Sequence, residues 1–84
     1  MRALVIDDSR LARNELKRLL KEFETIEVIG EAGDAIEAKE MIEEKKPDLI
    51  FLDIQMPGKN GFELLEDLEE VPEVIFTTAY DEYA

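Results

Sequence analysis

The chain of 84 residues is 45% hydrophobic and 38% charged, values that fit one small folded domain and exclude a disordered segment and a membrane-spanning helix. Its net charge of −12 argues against DNA or RNA as a partner of this segment, and the pattern predicts a soluble, cytoplasmic protein. Because the sequence has no cysteine and no histidine, disulfide bonds, cysteine metal sites and imidazole catalysis are excluded.

The first half of the chain alternates between apolar strands and amphipathic helices. Residues 3–6 (ALVI) predict a buried first strand, and Ser9 is suited to cap a helix whose apolar residues recur at helical spacing from Leu11 to Phe23. Residues 27–32 (EVIGEA) predict a second strand. A second helix begins at residues 33–34 and ends near residues 45–47, where two lysines and a proline favour its end.

The second half continues this alternation. Residues 48–53 (DLIFLD) predict a third strand that is apolar on both faces, and residues 54–61 form a loop rich in turn formers. Residues 62–68 predict a third helix, and residues 74–78 (VIFTT) predict a fourth strand. Repeated strand–helix alternation with apolar strands is typical of an α/β fold, in which helices cover both faces of a parallel sheet.

Acidic residues follow two of the predicted strands. Asp7 and Asp8 follow the first strand and Asp53 ends the third, so their carboxylates converge if these strands are neighbours. Such a cluster is costly to leave uncompensated, and Mg²⁺ with its preference for oxygen ligands relieves the repulsion. Thr78 supplies a hydroxyl at the end of the fourth strand.

Each of these residues also has an ordinary structural explanation. An Asp-Asp pair commonly caps a helix, a single Asp can end a strand, residues 56–58 (MPG) form a common turn, and Thr78 fits any strand. Their combination in this order at strand ends is more specific than any one of them. The charge is also uneven, since residues 47–84 contain ten acids and only Lys59 as a base, which suits cations or a basic partner.

Three segments together resemble a known family: residues 4–13 (LVIDDSRLAR), 47–65 (PDLIFLDIQMPGKNGFELL) and 74–80 (VIFTTAY). They resemble the receiver domain of bacterial two-component response regulators, most of all LytTR-type regulators, whose receiver precedes a separate DNA-binding domain. The resemblance implies a flavodoxin-like parallel sheet with strand order 2-1-3-4. It also implies a signalling module without independent substrate turnover.

The resemblance further implies roles for individual residues. Asp53 would accept a phosphoryl group from a histidine kinase, and Thr78 would hydrogen-bond that group as a switch hydroxyl. Asp8 and Asp53 would ligate Mg²⁺ directly, Asp7 through water and Gln55 through its backbone carbonyl. Family specificity for the kinase lies largely on the first helix, which makes five residues candidate contacts, although an ordinary solvated helix face is an equal alternative. These residues are Arg10, Leu11, Arg13, Asn14 and Lys17.

The chain departs from the family in its length. Family receivers have about 120 residues, with a fifth strand and two further helices, so we expect residues 1–84 to be a C-terminally truncated receiver in which residues 81–84 begin the fourth helix. The fifth strand carries the family's lysine, which Lys59 does not replace, and we therefore expect weakened phosphorylation and switching. We also expect the fourth strand to be an edge that favours self-association.

Two other functions remain as alternatives. A receiver fragment could fold and oligomerise without productive phosphorylation. A hydrolase of the haloacid-dehalogenase type also uses a strand-end Asp with Mg²⁺, but it needs an acid two residues later, where this chain has Gln55. The four glycines form neither a P-loop nor a dinucleotide-binding pattern.

Overall fold

Strands and helices alternate along residues 1–77, the part of the chain that the computed structural model describes. The strands are β1 (Arg2–Ile6), β2 (Glu27–Ala32), β3 (Leu49–Leu52) and β4 (Glu73–Phe76). The helices are α1 (Arg10–Leu20), α2 (Ala35–Lys45) and α3 (Gly61–Glu66). The four strands and three helices predicted for these residues are all present, and their bounds differ from the predicted ones by a few residues. The predicted start of a fourth helix at residues 81–84 lies outside the described residues.

The four strands form one parallel sheet in the order β2-β1-β3-β4. This order confirms the predicted flavodoxin-like arrangement. The predicted fourth strand extended to Thr78, which lies outside the described residues. The backbone N–H of Thr77 donates to the carbonyl oxygen of Leu52 at 2.9 Å, so the ladder between β3 and β4 continues one residue beyond Phe76.

Both faces of the two central strands are buried, which explains why their sequences are apolar at every position after Arg2. On one face, residues of β1 and β3 pack with α2 and α3; on the other face, the alternate residues pack against α1. Leu4, Ile6, Ile50 and Leu52 have no exposed surface on the first face. This double burial is typical of central strands in parallel sheets, and it fixes the carboxyl ends of β1 and β3 side by side.

The predicted apolar face of the first helix is correct only in part. α1 ends at Leu20, and three of the predicted apolar residues, Leu11, Leu19 and Phe23, are 70%, 54% and 56% exposed. Leu16 and Leu20 are the residues of α1 that pack on the sheet. At about 100° per residue, Leu11 lies about 140° around the helix from Leu16, so the two cannot share one face.

Side-chain caps fix the first residues of the helices. The Ser9 hydroxyl accepts a hydrogen bond from the N–H of Ala12 at 3.2 Å, as the sequence predicts. Asp34 caps α2 in the same way, and Asn60 forms a reciprocal capping box with Glu63 at the start of α3. α1 begins four residues after the end of β1, whereas α3 begins nine residues after the end of β3. Among residues 1–77, no helix has both the length and the apolar character that crossing a bilayer requires.

Candidate metal centre at the carboxyl ends of the strands

The carboxyl ends of β1 and β3 bring three aspartates together. β1 and β3 pair in register through Ile6 and Leu52, and Asp53 continues the ladder by donating its N–H to the Ile6 carbonyl oxygen at 2.9 Å. Asp7 and Asp8 follow Ile6 directly. Carboxylate oxygens of Asp7, Asp8 and Asp53 lie within 4.8 Å of one another.

Backbone N–H groups orient two of these carboxylates. Ser9 donates its N–H to Asp7 Oδ1 at 2.9 Å, and Gln55 donates its N–H to Asp53 Oδ1 at 3.2 Å. Asp7 and Asp53 are half-buried, whereas Asp8 is exposed to solvent. The cluster is therefore anchored on its protein side and open on its solvent side.

The donor set fits a small hard cation. Oxygen ligands are those that Mg²⁺ prefers, and two ligands on opposite sides of an octahedral Mg²⁺ ion lie about 4.2 Å apart. The carboxylate oxygens of Asp7, Asp8 and Asp53 all lie within 4.8 Å of one another, which is near that separation. Asp7, Asp8 and Asp53 can therefore share one divalent ion with water molecules completing its shell.

Burial and the neighbouring carboxylates raise the pKa of the Asp7 carboxyl above its ordinary value of 3.8. The largest cause is burial, and the negative charges of Asp53 and Asp8 act in the same direction. The hydrogen bond from the Ser9 N–H opposes this rise in pKa. Without a cation, the ionised form of Asp7 is thus less favourable in the folded chain than in the unfolded chain.

We predict that Asp7→Asn stabilises the chain at pH 7 in a buffer with a chelator. Because the pKa of Asp7 is raised on folding, its contribution to stability is most favourable below the unfolded value of 3.8 and is lost as the pH rises through the folded pKa. The gain should be about 1 kcal/mol or less, because solvent screens a partly exposed carboxylate. Urea denaturation in a pH series measures it.

The control for this experiment is Asp48→Asn, which removes the same charge at the start of β3, at the other end of the sheet. Asparagine can still accept the N–H of Arg2, which Asp48 accepts at 2.8 Å. An equal gain in both variants, or a gain for Asp7→Asn that persists below pH 3.8, would contradict the conclusion that ionised Asp7 is unfavourable in the folded chain.

The other predicted site residues have different surroundings. Gln55 is exposed and lies two residues after Asp53, while Thr78 lies outside the described residues. Lys59 is exposed and pairs with Asp67. Of the candidate kinase contacts, Arg13 and Lys17 both form ion pairs with Glu31 of β2, whereas Leu11 is well exposed.

Gly61 is a site residue that the sequence did not reveal as one. It is the first residue of α3, it is buried, and its N–H donates to the Ile54 carbonyl oxygen at 2.8 Å. A Cβ atom at this position would lie 3.0 Å from both the Asp53 carbonyl oxygen and the Ile54 Cα. α3 can therefore begin directly against the backbone of Asp53 only because residue 61 has no side chain. In the sequence, Gly61 is indistinguishable from an ordinary turn former.

Comparison with known proteins decides the family. The family model of the response regulator receiver domain matches residues 3–84. The chain is a response regulator receiver domain. This confirms the resemblance seen in the sequence, and it places the aspartate cluster in a receiver domain, a regulatory module of two-component systems.

Related receiver domains include both curated proteins and a solved structure. The chain is 58% identical over 84 residues to an uncharacterized response regulatory protein of Vibrio cholerae and 46% identical over 87 residues to the sensory transduction protein LytT of Bacillus anthracis. These matches cover 98% and 100% of this chain but 35% of each relative, so the chain spans about a third of their length. The response regulator domain of Thermotoga maritima CheB is 41% identical and superposes with a TM-score of 0.82, over 90% of this receiver domain and 58% of that chain.

Proposed function

We propose that Asp53 is the phosphoacceptor of a two-component phosphorelay and that Mg²⁺ binds beside it. Asp8 and Asp53 would ligate the ion directly, Asp7 through water and Gln55 through its backbone carbonyl. The observation that carries this proposal is the convergence of the three carboxylates at the ends of β1 and β3, with oxygens within 4.8 Å. The family membership of the chain supports the same assignment.

In the proposed reaction, a carboxylate oxygen of Asp53 attacks the phosphorus of a phosphohistidine on the kinase. The new P–O bond forms as the P–N bond breaks, and the electron pair of the P–N bond stays on the imidazole nitrogen. Gln55 holds the attacking carboxylate through its N–H, and the open solvent side of the cluster admits the donor. A bound Mg²⁺ ion supplies positive charge that offsets the negative charge of the phosphoryl oxygens.

Two parts of the proposal come from the family resemblance and from the sequence. Thr78 would report phosphorylation through its hydroxyl, and in the sequence it directly follows Thr77, whose N–H donates to Leu52. Lys59 does not replace the family lysine, because it lies on the loop after β3, where its ammonium pairs with Asp67. We therefore propose that the 84-residue chain is phosphorylated more weakly than a receiver that contains the lysine.

Labelling by acetyl phosphate with and without Mg²⁺ tests the proposed function. Mg²⁺-dependent labelling supports a phosphoacceptor, whereas an unlabelled but folded chain supports the alternative of a structural, oligomerising receiver fragment. A parallel beryllofluoride titration tests the proposed weakening of phosphorylation. Saturation of the 84-residue chain at the beryllofluoride concentrations that saturate a longer receiver would contradict this proposal. The predicted cytoplasmic location remains a prediction.

The edge of the sheet favours a second, oligomerising role. Within residues 1–77, β4 pairs only with β3, and the side chains of Ile75 and Phe76 are 48% and 45% exposed. An apolar edge strand of this kind pairs readily with another chain. We therefore propose that the 84-residue chain self-associates through β4.

We predict a concentration-dependent dimer or larger oligomer in sedimentation experiments, and we expect Ile75→Lys to shift it toward the monomer. A lysine on an exposed edge opposes strand pairing, because its ammonium must stay hydrated. Leu11→Lys is the matched control, since Leu11 is equally apolar and 70% exposed but lies on α1. A wild-type chain that stays monomeric at high concentration would contradict this proposal.

A further inference from the structure

Arg13 links the candidate metal centre to the neighbouring strand. It is the fourth residue of α1, at the end of the first turn, and only 15% of its side chain is exposed. Its Nη1 donates to the backbone carbonyl oxygen of Asp7 at 2.6 Å, and its Nε donates to Glu31 Oε1 at 2.8 Å. One guanidinium group thus joins the residue after β1 to a carboxylate on β2.

The surroundings of Arg13 hold its guanidinium in this position. Lys17 pairs with the other carboxylate oxygen of Glu31, so the acceptor of the Nε bond is itself held from a second direction. A Cβ atom at residue 33 would lie 3.3 Å from Arg13 Nη1, closer than most such contacts. Gly33 therefore leaves the space that the guanidinium group occupies.

With Arg13 in place, Asp7 is held at three separate atoms. Its N–H donates to the Ala32 carbonyl oxygen at 3.1 Å, its carboxylate accepts the Ser9 N–H at 2.9 Å, and its carbonyl oxygen accepts Arg13 Nη1. Neither of the first two bonds involves the Asp7 carbonyl oxygen, so neither fixes the orientation of the peptide group between Asp7 and Asp8. The Arg13 bond supplies that restraint, and Asp8 lies on the other side of the same peptide.

We propose that Arg13 is a positioning residue, which orients the Asp7–Asp8 peptide so that both carboxylates face the cation site. The inference rests on the proposed Mg²⁺ site but is not needed for it, since Arg13 is neither a ligand nor a phosphoacceptor. Charge-assisted bonds from arginine to two acceptors are strong and directional, which suits this role.

The sign of the effect separates positioning from simple electrostatics. A guanidinium group beside a cation site repels the cation, so removal of its charge alone would tighten Mg²⁺ binding. Loss of positioning has the opposite result, because the ligands then sample orientations that do not bind. For Arg13→Gln we expect the Kd for Mg²⁺ to rise about tenfold, the lower end of what loss of a ligand-orienting contact causes.

The experiment is an NMR titration of the 84-residue chain with MgCl₂, which follows the Gln55 amide, together with the carbonyl ¹³C shift of Asp7 before metal is added. The variants are Arg13→Gln, Arg13→Lys and the control Lys17→Gln. Lys17→Gln removes the same charge and a second ion pair to Glu31, but Lys17 has no bond to Asp7 among the described contacts. We expect Lys17→Gln to bind Mg²⁺ as tightly as the wild type or slightly more tightly.

The outcomes are distinguishable. Weaker Mg²⁺ binding in Arg13→Gln and Arg13→Lys supports the inference if the Asp7 carbonyl resonance is shifted and Lys17→Gln is unaffected. If Arg13→Gln does not fold, Arg13→Lys alone decides. Equal Mg²⁺ affinity in the wild type and the Arg13 variants, or equal weakening in Lys17→Gln, overturns the inference and leaves the proposed function standing. No Mg²⁺ binding by the folded wild type overturns the proposed metal site and the inference with it.

Discussion

Asp53→Asn is expected to abolish covalent labelling of the chain by acetyl phosphate and by a phosphorylated histidine kinase. The amide lacks the nucleophilic oxygen that would form the acyl phosphate, so the loss should be complete rather than partial. Asparagine keeps an oxygen that can accept the Gln55 N–H, which Asp53 accepts at 3.2 Å, and the fold should therefore persist. Mass spectrometry of the intact chain measures the gain of one phosphoryl group.

The matched control for this prediction is Asp48→Asn. Asp48 precedes the same strand, is exposed and lies at the opposite end of β3, so its substitution changes the net charge equally without touching the cluster. Its labelling should equal that of the wild type. Labelling that survives in a folded Asp53→Asn chain, at any other carboxylate, would contradict the assignment of the phosphoacceptor.

Asp8→Asn is expected to weaken Mg²⁺ binding by about 100-fold or more, since even loss of a contact that only orients a ligand costs 10- to 100-fold. Asp8 contributes one of the three carboxylates within 4.8 Å, and its exposure lets it be changed without disturbing the core. Binding to the folded state stabilises it, so Mg²⁺ at about 100 times its Kd should raise the free energy of unfolding of the wild type by about 2.7 kcal/mol. The same Mg²⁺ concentration should hardly change the stability of the variant.

Asp34→Asn is the matched control for Asp8→Asn at the same edge of the sheet. Asp34 follows β2 and caps α2, and asparagine serves equally well as a helix cap, so this variant removes one negative charge outside the cluster. It should keep most of the Mg²⁺ stabilisation. Thermal unfolding with MgCl₂ and with a chelator measures the stabilisation by Mg²⁺ in Asp8→Asn and Asp34→Asn. Equal stabilisation of the two variants would show that Mg²⁺ responds to the net charge of the chain and does not bind at the cluster.

The fold was largely predictable because its strongest constraints are local in the sequence. The runs ALVI and LIFL are apolar at successive positions, which indicates strands buried on both faces and so places them at the centre of a parallel sheet. The exposure of Leu11 and Phe23 was not predictable in the same way. It depends on which stripe of α1 meets the sheet, and apolar residues on more than one face of the helix fit several orientations.

The carboxylate cluster was predictable for a related reason. Asp7, Asp8 and Asp53 each stand at or next to a strand end, so the position of the strands determines where they lie. Arg13 and Gly61 have no such signal, because their roles come from contacts across the fold: Arg13 reaches back to Asp7, and Gly61 packs on the Asp53 backbone. A charged residue on an amphipathic helix and a glycine in a loop are ordinary in any sequence.

The close approach of Gly61 to Asp53 has a mechanical consequence. The N–H of Gly61 is bonded to the Ile54 carbonyl oxygen, and a Cβ atom at residue 61 would lie 3.0 Å from the Asp53 carbonyl oxygen, so the first turn of α3 packs directly on the peptide after Asp53. Packed groups of this kind transmit small displacements instead of absorbing them. We therefore expect a shift of the Asp53 backbone to displace the first turn of α3, and with it the surface of that helix.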